Sequence, residues 1–148
     1  AIAPQLGGAS ITGLRRLSGG ASQETWAFSL DTGQALILRR KPQGAVSTTG
    51  TANPLATEAA VIRAAAKLGA AVPEVLYVSD PGTDIGEAYV MVAVEGETLG
   101  KRIAQGEAFA AVRPQLARQC GEALAKIHAV PLEGLPDLAG GVASRLRE

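Results

Sequence analysis

The stretch from Leu14 to Arg40 constrains this chain more than any other. Two hydrophobic runs of strand length, Ile11–Leu17 and Glu24–Leu30, flank a loop of small residues that contains Gly19, Gly20, Ala21 and Ser22. A third run, Ala35–Arg40, follows a short Asp31-Thr32-Gly33 turn. A Gly- and Ser-rich loop between antiparallel strands lets backbone N–H groups close on an anion, because nothing beyond Cβ blocks the approach. The third run ends with a cation, Arg39, placed where such an anion lies. A polyphosphate held in this way is held by a sheet and not by a helix N-terminus, although most Gly-Gly turns between strands are only turns.

The familiar alternatives fail. G-x-x-x-x-G-K-S/T is absent: Gly100-Lys101 has Glu95 where the first glycine belongs and is followed by Arg102. No G-x-G-x-x-G opens a helix, so a dinucleotide-binding fold has no support. Acidic and basic residues balance at 14 each, which argues against a nucleic-acid binder or a polybasic membrane protein. One cysteine excludes an internal disulfide, and with one histidine besides there is no Cys/His metal cluster. No apolar run reaches transmembrane length and no signal peptide opens the chain, so the expectation is a cytoplasmic protein. A start at Ala1 implies a removed initiator Met or a cut end.

Length, 148 residues, sets one domain or a domain plus part of another. Aromatics make up 3%, so the core is built from Leu, Ile, Val and Ala. Residues 1–10 read as a loose lead-in, with Pro4, Gly7 and Gly8. Pro42 ends the third strand and the small polar residues 43–52 form a loop. A helix follows over Leu55–Leu68, with Asn53 as N-cap, Pro54 at the first turn and Gly69 as the stop. At 100° per residue Leu55, Ala59, Ile62 and Ala66 share one face. Glu58 falls beside Ile62, and its neighbours one turn on, Val61 and Ile62, carry no charge. A carboxylate in that position needs a partner from outside the helix.

Val75–Ser79 reads as a fourth strand and Ala88–Val94 as a buried fifth, broken by Glu95-Gly96. Thr98 is placed to cap a short helix through Ile103. A longer helix runs from Pro114 to Ala129, with Leu116, Cys120, Ala123, Leu124 and Ile127 as its apolar stripe and Glu122–Lys126 as an outward pair. His128, one turn from Leu124, reads as a half-buried packing residue. Residues 142–148 have the pattern of a further helix start, and no internal repeat is present.

This order resembles the N-terminal lobe of the protein-kinase-like superfamily. In detail it is similar to the aminoglycoside phosphotransferase family, with its choline, homoserine and macrolide kinases and the kinase-like domains associated with acyl-CoA dehydrogenases. Five segments carry the likeness: Leu17–Thr25, Leu36–Pro42, Thr57–Ala65, Tyr89–Gly96 and Ala123–Pro131. The resemblance implies an α+β fold, with a five-stranded antiparallel sheet and one packed helix, followed by helices of an incomplete C-lobe. The implied division is residues 11–96 as nucleotide-binding lobe and hinge, and 97–148 as the start of the helical lobe.

The family's roles fall on named positions. Gly20, Ala21, Ser22 and Gln23 are expected to meet the β- and γ-phosphates of ATP or GTP. Arg39 takes the place of the phosphate-binding lysine and Glu58 that of its ion-pair partner. Arg for Lys is a departure, since a guanidinium has bulk and a fixed fork. Ile37 and Leu17 are expected against the adenine ring, Met91 as gatekeeper, and the Val92 carbonyl and Val94 N–H at the adenine edge. The family's catalytic loop, His-x-Asp with a following Asn and a later Asp for Mg²⁺, has no counterpart here. His128 is followed by Ala129-Val130, Asn53 starts a helix, and beyond Asp84 only Asp137 remains.

The expectation is therefore the nucleotide-binding piece of a small-molecule phosphotransferase that acts on a hydroxyl group, inactive alone, with its Mg²⁺ ligands in a missing lobe. The exposed face of helix 114–129 is then expected to be covered by that lobe, by a dimer partner or by a swap. The alternative is a pseudokinase-like nucleotide-binding or scaffold module without catalysis.

Overall fold

The computed structural model of the protein describes residues 2–18, 23–42, 44 and 54–136. Five strands, β1 (Ile11–Leu17), β2 (Glu24–Leu30), β3 (Ala35–Arg40), β4 (Val75–Ser79) and β5 (Ala88–Val92), form one sheet in the order β1-β2-β3-β5-β4. Every pairing is antiparallel. Three α-helices follow the chain: α1 (Leu55–Lys67), α2 (Gly100–Gln105) and α3 (Arg113–His128). This is the expected α+β architecture. The fifth strand is shorter than expected, because after Val92 the chain makes one more link, Ala93 N–H to the Ala35 carbonyl at 3.0 Å, and turns away.

Alternation along the strands divides the core in two. Leu36 and Leu38 point to one face with Phe28, Leu30, Ala88 and Val90. Ile2 covers that layer at 8% exposure, with Leu6 and Ala9 packed against it. Pro4 sits in the first turn of a 3-10 helix over Ala3–Leu6, and Gly7, at φ 78°, ends it in a left-handed conformation that costs glycine little. The opposite face takes α1: Leu55 and Ala59 pack on Val75 and Tyr89, flanked by Ile62, Val78 and Met91. Burying side chains of Leu or Val size stabilises by about 1.5–3 kcal/mol each, so these contacts hold α1 on the sheet.

Ala66, expected in the apolar face of α1, is exposed; Ala65 is buried instead, with Ala70 and Val130. The far end of the helix has left the sheet and packs against the chain that follows α3, which changes the inward face. The start of α1 also differs. Pro54 is the N-cap and makes no side-chain cap bond; Asn53 lies outside the described residues. The Leu55 N–H is met by the Glu87 carboxylate, from the residue before β5. The Lys41 N–H donates to the Glu87 carbonyl at 2.9 Å, so one residue joins the exit of β3 to the start of α1.

In the C-terminal part, Glu97 rather than Thr98 serves the start of α2, accepting from the Thr98 and Leu99 N–H groups at 2.9 Å each. The Leu99 N–H, foremost, holds the Glu97 carboxyl below its ordinary range. On α3 the ion pair is Arg118–Glu122 and not Glu122–Lys126. Lys126 reaches back to the Gly69 carbonyl, 2.8 Å away, just past the end of α1. His128 is exposed, not half-buried, because no element crosses its side of α3 among the described residues. Leu124 and Ile127 stay open at 50% and 40% exposure.

Removing the remote cap is the direct test of this account of α1. Glu87→Ala is expected to lower unfolding free energy by about 1 kcal/mol, the usual effect of losing a helix N-terminal acceptor, read as an earlier urea midpoint. An unchanged midpoint would show that Glu87 does not hold the helix start.

Candidate functional site

Antiparallel register decides which residues share the α1 side of the sheet, since directly opposed residues project to the same face. Leu17 faces Thr25, Thr25 faces Arg39, and Arg39 faces Tyr89. The next row along is Ala27, Ile37 and Met91. Four of the positions singled out in the sequence, Leu17, Ile37, Arg39 and Met91, thus lie on one face within two adjacent rows. Ile37 and Met91 are direct partners across the β3–β5 ladder, both half-buried. Val92 has the other parity: it pairs with Leu36 and packs against the opposite core. Val94 stands beyond the strand, 75% exposed. Gln23 immediately precedes β2, while Gly20, Ala21 and Ser22 lie outside the described residues.

The helix now supplies the partner for the strand cation. Glu58 Oε1 lies 3.0 Å from Arg39 Nη1, with side chains 35% and 32% exposed. Beneath the guanidinium is Tyr89, whose ring centroid lies 6.0 Å from Arg39 Cζ. Arg39 Nε is buried and has no hydrogen-bond partner among the described residues. An arginine carries five N–H donors and repays desolvation only when they are satisfied. The guanidinium is still about a third exposed, so its outer Nη donors, and not the buried Nε, are the ones an anionic oxygen can reach.

Two groups near the site had drawn no attention in the sequence. Tyr89 looks like one more member of an apolar run, yet it is 1% exposed and in van der Waals company with Leu55, Ala59 and Val75. Burial, then the Glu58 charge, push its phenol up from 10.0 to about 12, with Arg39 pulling the other way. Glu24, first residue after the loop, meets Arg40 at 2.8 Å and Arg16 at 3.7 Å and accepts from the Trp26 indole N–H at 3.3 Å. Cations at Arg16 and Arg40 on flanking strands were the available signal. Glu24 ties β1, β2 and β3 together where the loop rejoins the sheet.

Among the described residues no group of three or more His, Cys, Asp or Glu gathers where a metal ion could sit, and no helix is long and apolar enough to cross a membrane.

Residues 13–146 match the profile of the phosphotransferase enzyme family. No curated protein matches the chain. Among solved structures, aminoglycoside phosphotransferase APH(4)-Ia superposes with a TM-score of 0.57 at 21% identity, over 84% of this chain and 36% of that one. A thermostable variant of the same enzyme, in ternary complex with AMP-PNP and hygromycin B, gives 0.56 at 20% identity, over 83% and 36%. A protein from Thermobifida fusca YX-ER1, assigned as a fructosamine-3-kinase, gives 0.51 at 18% identity, over 81% and 34%. At these identities the likeness is one of fold, and the chain spans about a third of each structure's length.

The buried phenol makes stability depend on alkaline pH. The folded state keeps the Tyr89 proton to about pH 12, whereas an unfolded chain releases it near 10.0. The phenol's contribution is therefore complete below pH 10.0 and is lost as pH rises from there towards 12. Urea midpoints on either side of that rise are expected to fall further in the wild type than in Tyr89→Phe, which has no proton to lose. Equal falls would show that Tyr89 titrates freely.

Proposed function

This chain belongs to the phosphotransferase enzyme family, and from that premise we propose that it is the nucleotide-binding lobe of a kinase that transfers the γ-phosphoryl group of ATP or GTP to a hydroxyl of a small molecule. The observation that carries the reading is the Arg39–Glu58 pair, 3.0 Å apart on the α1 side of the sheet. In kinase-type phosphoryl transfer the protein's contribution is positioning and neutralisation of charge, and a cation held by a helix carboxylate serves both.

Arg39 is assigned to the phosphates, together with Gln23 and the backbone of Gly20, Ala21 and Ser22. Leu17, Ile37 and Met91 are assigned to the faces of the base, and the chain at Val92 and Val94 to its edge. Glu58 is assigned to the same site, where it holds Arg39 in place. Residues 11–96 form the lobe and hinge, and 97–148 begin the helical lobe. The Mg²⁺ such transfers employ neutralises charge between the β- and γ-phosphates. The described residues do not gather a site for it, so its ligands are assigned to a second lobe of a longer parent, along with the catalytic base. Exposed Leu124 and Ile127 are the surface proposed to meet that lobe.

Two outcomes test this. The 148-residue chain is expected to bind ATP weakly, with no turnover, and Arg39→Ala to weaken ATP binding about tenfold or more, the scale of one lost charged hydrogen bond. Unchanged affinity in that variant, or phosphoryl transfer by the chain alone, refutes the assignment. Leu124→Gln with Ile127→Gln is expected to shift the stability of this chain by no more than about 0.5 kcal/mol. The same pair is expected to destabilise a full-length parent by several times that. Equal effects in the two would refute the covering lobe.

A further inference from the structure

Tyr89 and Arg39 leave the same face of the β3–β5 ladder as direct cross-strand partners. The tyrosine is held by Leu55, Ala59 and Val75 and is 1% exposed, so its ring has no room to swing aside. The guanidinium carbon of Arg39 lies over that ring, 6.0 Å from its centroid. Glu58 takes Nη1 at 3.0 Å. A guanidinium is a plane whose donors point in fixed directions, unlike an ammonium, which turns freely about its stem. A carboxylate at one edge and a fixed aromatic surface beneath restrict that plane. The direction of the remaining outer Nη donors is then set before any ligand arrives.

We propose that Tyr89 is a positioning residue: its ring fixes the plane of the Arg39 guanidinium and so aims the remaining donors of that arginine at the phosphates. The inference rests on the assignment of Arg39 to the nucleotide phosphates and adds to it the residue that makes the assignment workable. A ring acting this way contributes to the recognition of charge on the ligand and nothing to recognition of its base.

The test is the ratio of ATP to adenosine affinity, measured by calorimetry on the full-length protein. Tyr89→Leu is expected to lower that ratio about five- to tenfold, the scale of a partly desolvated cation–π contact, with adenosine affinity unchanged. Tyr89→Phe, which keeps the ring, restores the ratio to within about twofold of wild type. In an Arg39→Lys background, which has no plane to orient, Tyr89→Leu leaves the ratio unaltered. Should the Leu variant not fold, Tyr89→Met carries the same comparison at closer volume. Parallel losses for ATP and adenosine, or an equal loss in the Lys background, reduce Tyr89 to a packing residue and overturn the proposal. Loss with Arg39→Ala but none with Tyr89→Leu overturns it while sparing the nucleotide assignment; no loss with Arg39→Ala overturns both.

Discussion

A strand arginine and a helix glutamate, 3.0 Å apart, set the terms for the rest of this molecule, although they contribute little to its stability. Both side chains are about a third exposed, and pairs at such depth are worth at most about 1 kcal/mol. Leu55 and Ala59 against Val75 and Tyr89 supply several times that. Apolar packing therefore fixes where α1 lies, and the ion pair reports whether it lies correctly. Charges this close to the core also demand compensation, which is why the carboxylate, the aromatic ring and the cation occur as one group.

β3 shows how six residues serve two interiors. Leu36 and Leu38 close the layer under Ile2, while Ile37 and Arg39 lie on the opposite face with Met91 and Tyr89. A one-residue slip would exchange those sets and put a guanidinium into the core. The register is held at the C-terminal end of β3 by two carboxylates. Glu24 clasps Arg40 across the β2–β3 pair, and Glu87 joins the exit of β3 to the first turn of α1. Each ties three elements together, and each stands beside a connection that the cleft depends on.

The strand bounds were legible because Gly, Pro and Asp punctuate them and because alternation marks the faces. Glu58 was legible for a different reason: a carboxylate without a basic neighbour on its own helix implies one elsewhere. What stayed hidden is non-local or featureless. The Glu87 cap lies 32 residues from Leu55, and Lys126 reaches a carbonyl 57 residues away; no local pattern encodes either. Near its end α1 carries three alanines in a row, Ala64, Ala65 and Ala66, so no side chain distinguishes Ala65 from Ala66 until its neighbours are in place. Tyr89 was concealed within an apolar run, where a phenol counts as one more hydrophobe. The phosphate loop itself, read as Gly20–Gln23, reaches into the described residues only at Gln23.

The two sides of the molecule are finished to different degrees, and the difference has a direction. On the sheet's outer face Ile2 and the Ala3–Leu6 turn cover the apolar layer. The inner face is closed by α1 over β4 and β5, then opens along Ile37 and Arg39. Beyond it α3 is fastened to the end of α1 through Lys126, while Leu124 and Ile127 remain half in water. The outer face keeps an apolar pocket of about 360 Å³ bordered by Ile11, Leu14 and Trp26, but the open stripe of α3 and the outward Arg39 donors both lie where the chain continues past the sheet. Solved structures of the same fold are more than twice as long, and a second lobe placed there would cover the stripe and enclose the Arg39 side of the sheet in one step. On this proposal the open face of α3 and the spare donors of Arg39 have one explanation: each is half of an interface whose other half completes the phosphate site.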